Sequence, residues 1–281
     1  MPRNNHNPVE LLARFGFGAR GVVYCLVGGL ALLAAIGAGG QTGGSQSALQ
    51  TVLAQPLGWI WLALIAIGLF GFCAWRIVEA VTDADRRGND MKGLGIRAAH
   101  LIGGLIYAGL AVSALSLAFG WGTSGGSGED GAAQDWTAWL LAQPFGRWLT
   151  GLVGAGIVGA GLAFAWKAWR GDVAEYLALP ADKRDWFVTL GRMGFAARGV
   201  VFIIIGGFLI LAAWHSQSSD VRGLGGALRA LQEQPYGWVL LALTAIGLFA
   251  FGIFGLVQAR YRHIDAPDLD DAKAAAAQVG R

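Results

Sequence analysis

The chain has 281 residues, of which 55% are hydrophobic and only 14% charged, and its formal net charge is +3. A soluble domain usually carries about 25% charged residues, so this composition, with a mean hydropathy of +0.51, excludes an ordinary water-soluble domain. Nucleic acid is excluded as a partner despite a pI near 9.1, because the basic residues sit in short segments beside apolar stretches.

Residues 1–10 form a polar N-terminus. Six apolar stretches follow, at 17–38, 57–80, 98–121, 145–169, 194–214 and 236–259. Each approaches or exceeds the roughly 20 residues that a helix needs to cross a bilayer core. Runs of this length without period-two alternation are helices rather than strands of a closed barrel. The first is too long for a signal peptide and lacks a cleavage site, so it is read as a retained helix. The 45 glycines and 12 tryptophans suit close helix packing and interfacial anchoring. Orientation follows from Lys and Arg. Eighteen of the 21 fall on one side, in the N-terminus, in the segments around 76–97 and 167–198, and after Arg260. Only Arg147, Arg222 and Arg229 fall on the other. The first side is therefore expected to face the cytoplasm, with both termini on it.

The chain also repeats itself, and such repetition decides a fold. Ala13 to Val23 returns almost residue for residue as Gly191 to Val201. Gln55-Pro56-Leu57-Gly58-Trp59 returns as Gln234-Pro235-Tyr236-Gly237-Trp238, and Ala66 to Phe70 as Ala245 to Phe249. A more diverged copy lies between them. There Arg97, Gly104 and Tyr107 align with Arg14, Gly21 and Tyr24, while Gly156 and Gly159 align with Gly68 and Gly71. The expected organisation is one membrane domain of three tandem two-helix repeats, at 11–83, 92–172 and 188–262, followed by a cytoplasmic tail at 263–281. Repeats with an even number of spans share one orientation, so the expected architecture is all-α, a pseudo-threefold bundle with its axis along the membrane normal. Three helices would lie nearer the axis and three outside. An open row of hairpins is the alternative.

Between the two spans of each repeat, the sequence predicts a short helix, at 48–54, 136–142 and 227–233. Ser45 or Ser47 would cap the first and Asp135 the second. Pro56, Pro144 and Pro235 then start the second spans, where a missing N–H costs little. Gln55, Gln143 and Gln234 would either form an outer ring at a pore mouth or serve each helix junction. The small residues seven apart in the first helices, such as Gly21 and Gly28, share one face and suit close packing or room for a lipid chain.

Candidate ligand or lipid contacts gather near the cytoplasmic side. Arg14, Arg97 and Arg192 recur at the start of each repeat and are expected to hold headgroup phosphates. Arg20 and Arg198 lie about 9 Å deeper and would snorkel or pair with Glu79 and Gln258. The middle repeat has Gly103 in place of that arginine and Lys167 in place of Glu79, which swaps the charge. Tyr24 and Tyr107 would line an inner cavity or pack in the core. The four histidines, His6, His100, His215 and His263, have no metal-ligand or haem spacing. Cys25 and Cys73 read as apolar packing residues. With no P-loop, paired carboxylates or Ser–His arrangement in the membrane, no enzyme, cofactor or metal is expected. Membrane lipids, including anionic headgroups on the cytoplasmic side, are the expected partners.

The Arg14 to Gly21 opening, its copy at Arg192 to Gly199 and the thrice-used Gln-Pro-x-Gly turns resemble the bacterial family called domain of unknown function 1206, from about Leu11 to Arg262. The resemblance implies three copies of a two-helix unit in a bacterial inner membrane and implies no activity. Two functions are therefore expected as alternatives: a non-catalytic bundle that binds lipid, a small ligand or a partner protein, or a channel or passive transporter along the threefold axis. The tail, Asp265 to Arg281, would be a disordered or short helical extension or a docking site.

Overall fold

A computed structural model describes residues 8–82, 90–121, 129–174, 177 and 181–262. The tail, residues 1–7, Arg86, Arg87 and the Lys92 side chain lie outside the described residues. The described helices are α1 (Pro8–Ala35), α2 (Gly44–Leu53), α3 (Gly58–Thr82), α4 (Met91–Phe119), α5 (Glu129–Leu141), α6 (Gly146–Arg170), α7 (Arg184–His215), α8 (Leu224–Gln232) and α9 (Gly237–Tyr261). Three short 3-10 turns accompany them. Six helices, α1, α3, α4, α6, α7 and α9, are long and apolar enough to cross a membrane. The protein is an all-helical, multi-pass membrane protein. The long first helices begin well before their apolar stretches, α1 at Pro8 and α7 at Arg184. These extensions carry the recurring arginines.

The Gln-Pro-x-Gly segments form a turn rather than the first turn of a helix. Each Gly N–H donates to the Gln carbonyl three residues earlier, at 2.9 Å for Gly58, 2.9 Å for Gly146 and 2.7 Å for Gly237. Between them Leu57, Phe145 and Tyr236 all adopt positive φ, at 59°, 62° and 59°. Proline followed by a positive-φ residue is the pattern of a type II turn. A non-glycine in that region costs about 1–2 kcal/mol, and the cost is accepted three times. The turn throws a large apolar side chain outward each time, and all three are exposed. The following glycine is required, since a Cβ on Gly237 would run into the backbone carbonyls that end α8.

The short helices α2, α5 and α8 meet at the same end of the bundle. Their caps differ from the expected ones. Helix α2 starts at Gly44, with Ser47 inside it bonded to Gln41, and α5 starts at Glu129, which leaves Asp135 in its interior. The capping oxygens come from another repeat. Glu129 Oε2 accepts the Ser45 N–H of α2 at 2.9 Å. Asp130 Oδ1 accepts the N–H groups of Gly223, just before α8, and of Gly226 in its first turn, at 2.7 and 3.3 Å. Two orphan helix N-termini are thus satisfied by the first two residues of a third helix. This joins all three repeats at what is called here the loop-helix end.

The spanning helices follow the order α4, α3, α1, α9, α7, α6, each packed on the next. The pairs α3–α4, α6–α7 and α9–α1 join different repeats, so repeat 3 returns to repeat 1. Small residues make these joints. A Cβ on Gly28 would meet the Phe249 backbone at 2.5 Å, and one on Gly206 the Gly154 carbonyl at 2.7 Å. Within repeats 1 and 3 the two spans also pack together, α1 on α3 and α7 on α9. Repeat 2 departs from this pattern, because α4 and α6 do not form a packed pair among the described residues. The centre of the bundle is filled by apolar side chains, among them Val23, Val27, Leu62, Leu69, Leu241 and Leu248.

Candidate functional site

The three recurring arginines lie at the opposite end, here the arginine end, and the structure places them on backbone. Arg14 donates to the carbonyls of Ala259 and Arg260 at 3.1 and 2.7 Å, and to Glu10 in its own helix at 2.7 Å. Arg97 donates to Ala80 at 2.5 Å and Val81 at 3.2 Å. Arg192 donates to Ala168 at 2.9 Å. Each first helix therefore caps the C-terminus of the second helix of the adjoining repeat. Those carbonyls lack helical partners, and the negative end of the helix dipole favours a cation there. Arg147 repeats the device at the loop-helix end, on Ala213 and Trp214 of α7.

One turn or two deeper, all six spanning helices contribute a side chain to one packed cluster, called here the chamber. Arg20 on α1 is only 3% exposed. Its guanidinium lies 5.2, 4.8 and 5.1 Å from the ring centres of Phe17, Phe72 and Phe251. One of its nitrogens donates to Gln258 Oε1 on α9 at 2.5 Å, while its Nε finds no hydrogen-bond partner. Arg198 on α7 faces Tyr24, Phe164, Phe202 and Phe251 at 5.4, 4.8, 5.1 and 4.7 Å. Its Nε is also buried without a partner. Phe251 is thus shared by both cations. Tyr24 and Tyr107 approach each other oxygen to oxygen at 3.4 Å, and Tyr107 stacks edge-on against Phe72. Lys167 on α6 reaches over Phe195 at 5.1 Å.

Glu79, also buried, does not neutralise Arg20 or Arg198. It binds Arg262 Nη2 at 2.6 Å and Arg76 Nη1 at 2.9 Å, and His100 Nδ1 lies 3.7 Å away. The only buried carboxylate described near the chamber is therefore engaged by other cations. Two arginines are left facing aromatic rings with no carboxylate among the described residues.

The model of the family Domain of Unknown Function (DUF1206) matches three tandem segments of this chain, at residues 15–83, 98–171 and 193–262. The chain belongs to this family. It is also similar to the uncharacterized protein YxxB of Bacillus subtilis, with 37% identity over 259 residues that cover 91% of this chain and 92% of that one. No solved structure matches it. The three family segments each contain a first and a second span, so the chamber can be compared copy by copy. Arg20 in the first segment and Arg198 in the third align with Gly103 in the second; Phe72 and Phe251 align with Ala160; Glu79 and Gln258 align with Lys167. The second segment withdraws bulk and adds a cation.

Gln55, Gln143 and Gln234, by contrast, are spread around the exposed loop-helix end. Gln143 and Gln234 each donate back to a carbonyl of the preceding short helix, at 3.3 and 3.2 Å. That end also holds an open cleft of about 600 Å³ beside α2, lined by Gln41, Gln46, Gln50 and Arg229 among others. The carboxyl of Glu129 is pushed up to about 7 by burial, against the Ser45 N–H that favours its charged form; Asp130 adds to the rise and the Leu224 N–H opposes it. His215, at the C-terminus of α7, contacts Asp220 at 2.7 Å.

Proposed function

We propose that this protein is a non-catalytic bundle of a bacterial inner membrane, with its arginine end and both termini in the cytoplasm, that binds an anionic group in the chamber between Arg20 and Arg198. The observation that carries this reading is Arg20, a buried guanidinium with an unsatisfied Nε and no carboxylate partner among the described residues. Burying an unpaired charge is costly. Aromatic faces recover about 0.5–2 kcal/mol each, and an anion would recover more. Placing 18 of the 21 Lys and Arg residues on one side supports the orientation. The apolar side chains filling the centre favour binding over conduction along the axis.

The test is native mass spectrometry of the full chain released from nanodiscs formed with its own membrane lipids. One anionic species per chain is expected, lost when Arg20→Gln and Arg198→Gln are combined while helical content is unchanged. Equal retention by that variant, or no retained anion in the wild type, would contradict the proposal.

A further inference from the structure

The second repeat is open among the described residues where the other two are closed. In repeats 1 and 3, Ala19 and Ala197 lie against Gly68 and Gly247 of the second span of the same repeat, and Val23 and Val201, one turn on, are 1% and 2% exposed. Their counterpart on α4, Ile106, is 65% exposed, and Ile102, in the place of Ala19 and Ala197, is 59% exposed. The facing surface of α6 agrees. A Cβ on Gly71 would meet the Leu12 carbonyl at 2.8 Å, and one on Gly247 the Met193 carbonyl at 3.1 Å, whereas Gly156 and Gly159 have nothing within 4 Å. Ala160 stands where Phe72 and Phe251 fill the other two copies. At the two ends of the helix order, α4 and α6 therefore each leave uncovered the apolar face that is packed in the other two repeats. Tyr24, Tyr107, Phe164 and Arg198, which contact one another around the cations, are only half-buried.

We infer that these faces of α4 and α6 flank a lateral lipid port, the α4–α6 cleft, in which an anionic glycerophospholipid lays its acyl chains against Gly156, Gly159, Ile102 and Ile106 and carries its phosphate to Arg20 and Arg198. The inference rests on the anion reading above and adds the ligand class and its route. Charge complementarity selects this occupant. A partner helix or a second copy of the chain would cover the apolar wall and leave Arg20, 3% exposed and unsatisfied at Nε, without its counter-charge. A free anion would satisfy the arginines and leave the apolar wall bare. An amphiphile answers both. Its length also fits, because the cleft wall is transmembrane and the cations lie toward one end, where a headgroup belongs. Lys167, the charge that the second repeat alone carries on α6, stands on that wall one to two turns beyond Ala160 toward the arginine end.

The test uses the full chain, stripped into a neutral detergent and titrated with dioleoyl phosphatidylglycerol or dioleoyl phosphatidylcholine, with binding read by native mass spectrometry. One phosphatidylglycerol per chain is expected, preferred over phosphatidylcholine by about tenfold or more. Filling the cleft with Gly156→Leu and Gly159→Leu should weaken that binding by about tenfold or more with the monomer still folded. Ala160→Phe, which restores the residue of the other two copies, is the second variant should the leucine pair fail to fold. Undiminished phosphatidylglycerol binding by the filled variants overturns the port and leaves the anion site standing. Equal binding of the two lipids overturns it as well. Binding of glycerol 1-phosphate without any preference for phosphatidylglycerol also overturns the port while keeping the anion reading. A stable dimer that the filled variants abolish would assign the cleft to a second copy of the chain, again against the inference.

Discussion

Glu129→Gln should remove a pH dependence that the wild-type loop-helix end possesses. The Glu129 carboxyl holds two helices together, and its pKa is raised from 4.5 to about 7 chiefly by burial. The assembled end therefore binds more protons than the opened one across that interval. Its stability is fully present below about pH 4.5 and is lost as pH rises through about 7. One pKa unit corresponds to about 1.36 kcal/mol, so the shift sets a ceiling of about 3 kcal/mol, and partial exposure lowers it to about 1–3 kcal/mol. The assay is hydrogen exchange of the α2 and α8 amides in nanodiscs at pH 5 and pH 8, corrected for the intrinsic rate. Protection should fall about tenfold or more in the wild type and stay level in Glu129→Gln, whose amide still accepts the Ser45 N–H. Equal wild-type protection at both pH values, or the same fall in Glu129→Gln, would refute the reasoning.

Four other outcomes follow from the packing. Arg97→Gln should cost about 1–2 kcal/mol and raise exchange at the C-terminus of α3, which its guanidinium caps; unfolding in mixed micelles measures it. Glu79→Ala should cost about 3–5 kcal/mol, because Arg76 and Arg262 would lose the buried carboxylate they share, and the drop in melting temperature reads it. Gly237→Ala should lose about 2 kcal/mol or more, since its Cβ would meet the Leu231 carbonyl at 2.7 Å. Gly156→Ala, with open space around it, should gain up to about 1 kcal/mol from helix propensity, and the pair are compared by thermal unfolding.

The spans were legible because lipid allows few ways to satisfy a backbone, and a run of twenty apolar residues states its own length and state. The short helices before Gln-Pro were legible from amphipathic spacing. Their caps were not, because Glu129 and Asp130 act on α2 and α8 from more than eighty residues away, and a local capping rule looks only at neighbours. The same limit applied to Arg14, Arg97 and Arg192. Their recurrence marked them, but a repeated interfacial arginine reads as a headgroup ligand until the adjoining helix end is seen beneath it. Glu79 looked like the partner of Arg20 by position in the copies, whereas Arg262, at the end of α9, takes that place. The divergence of the second repeat was visible at Gly103 and Lys167 as a change of charge. Its physical effect, an unclosed pair of helices, required knowing which faces of α1 and α7 are covered.

The most direct test of the central claim is a structure of the protein purified in its own membrane lipids, solved finely enough to show ordered lipid. The account expects density for a negatively charged headgroup within contact of the Arg20 and Arg198 guanidinium groups, with chains running between α4 and α6. A chamber in which both arginines meet only protein or water, or an α4 packed directly on α6, would contradict it.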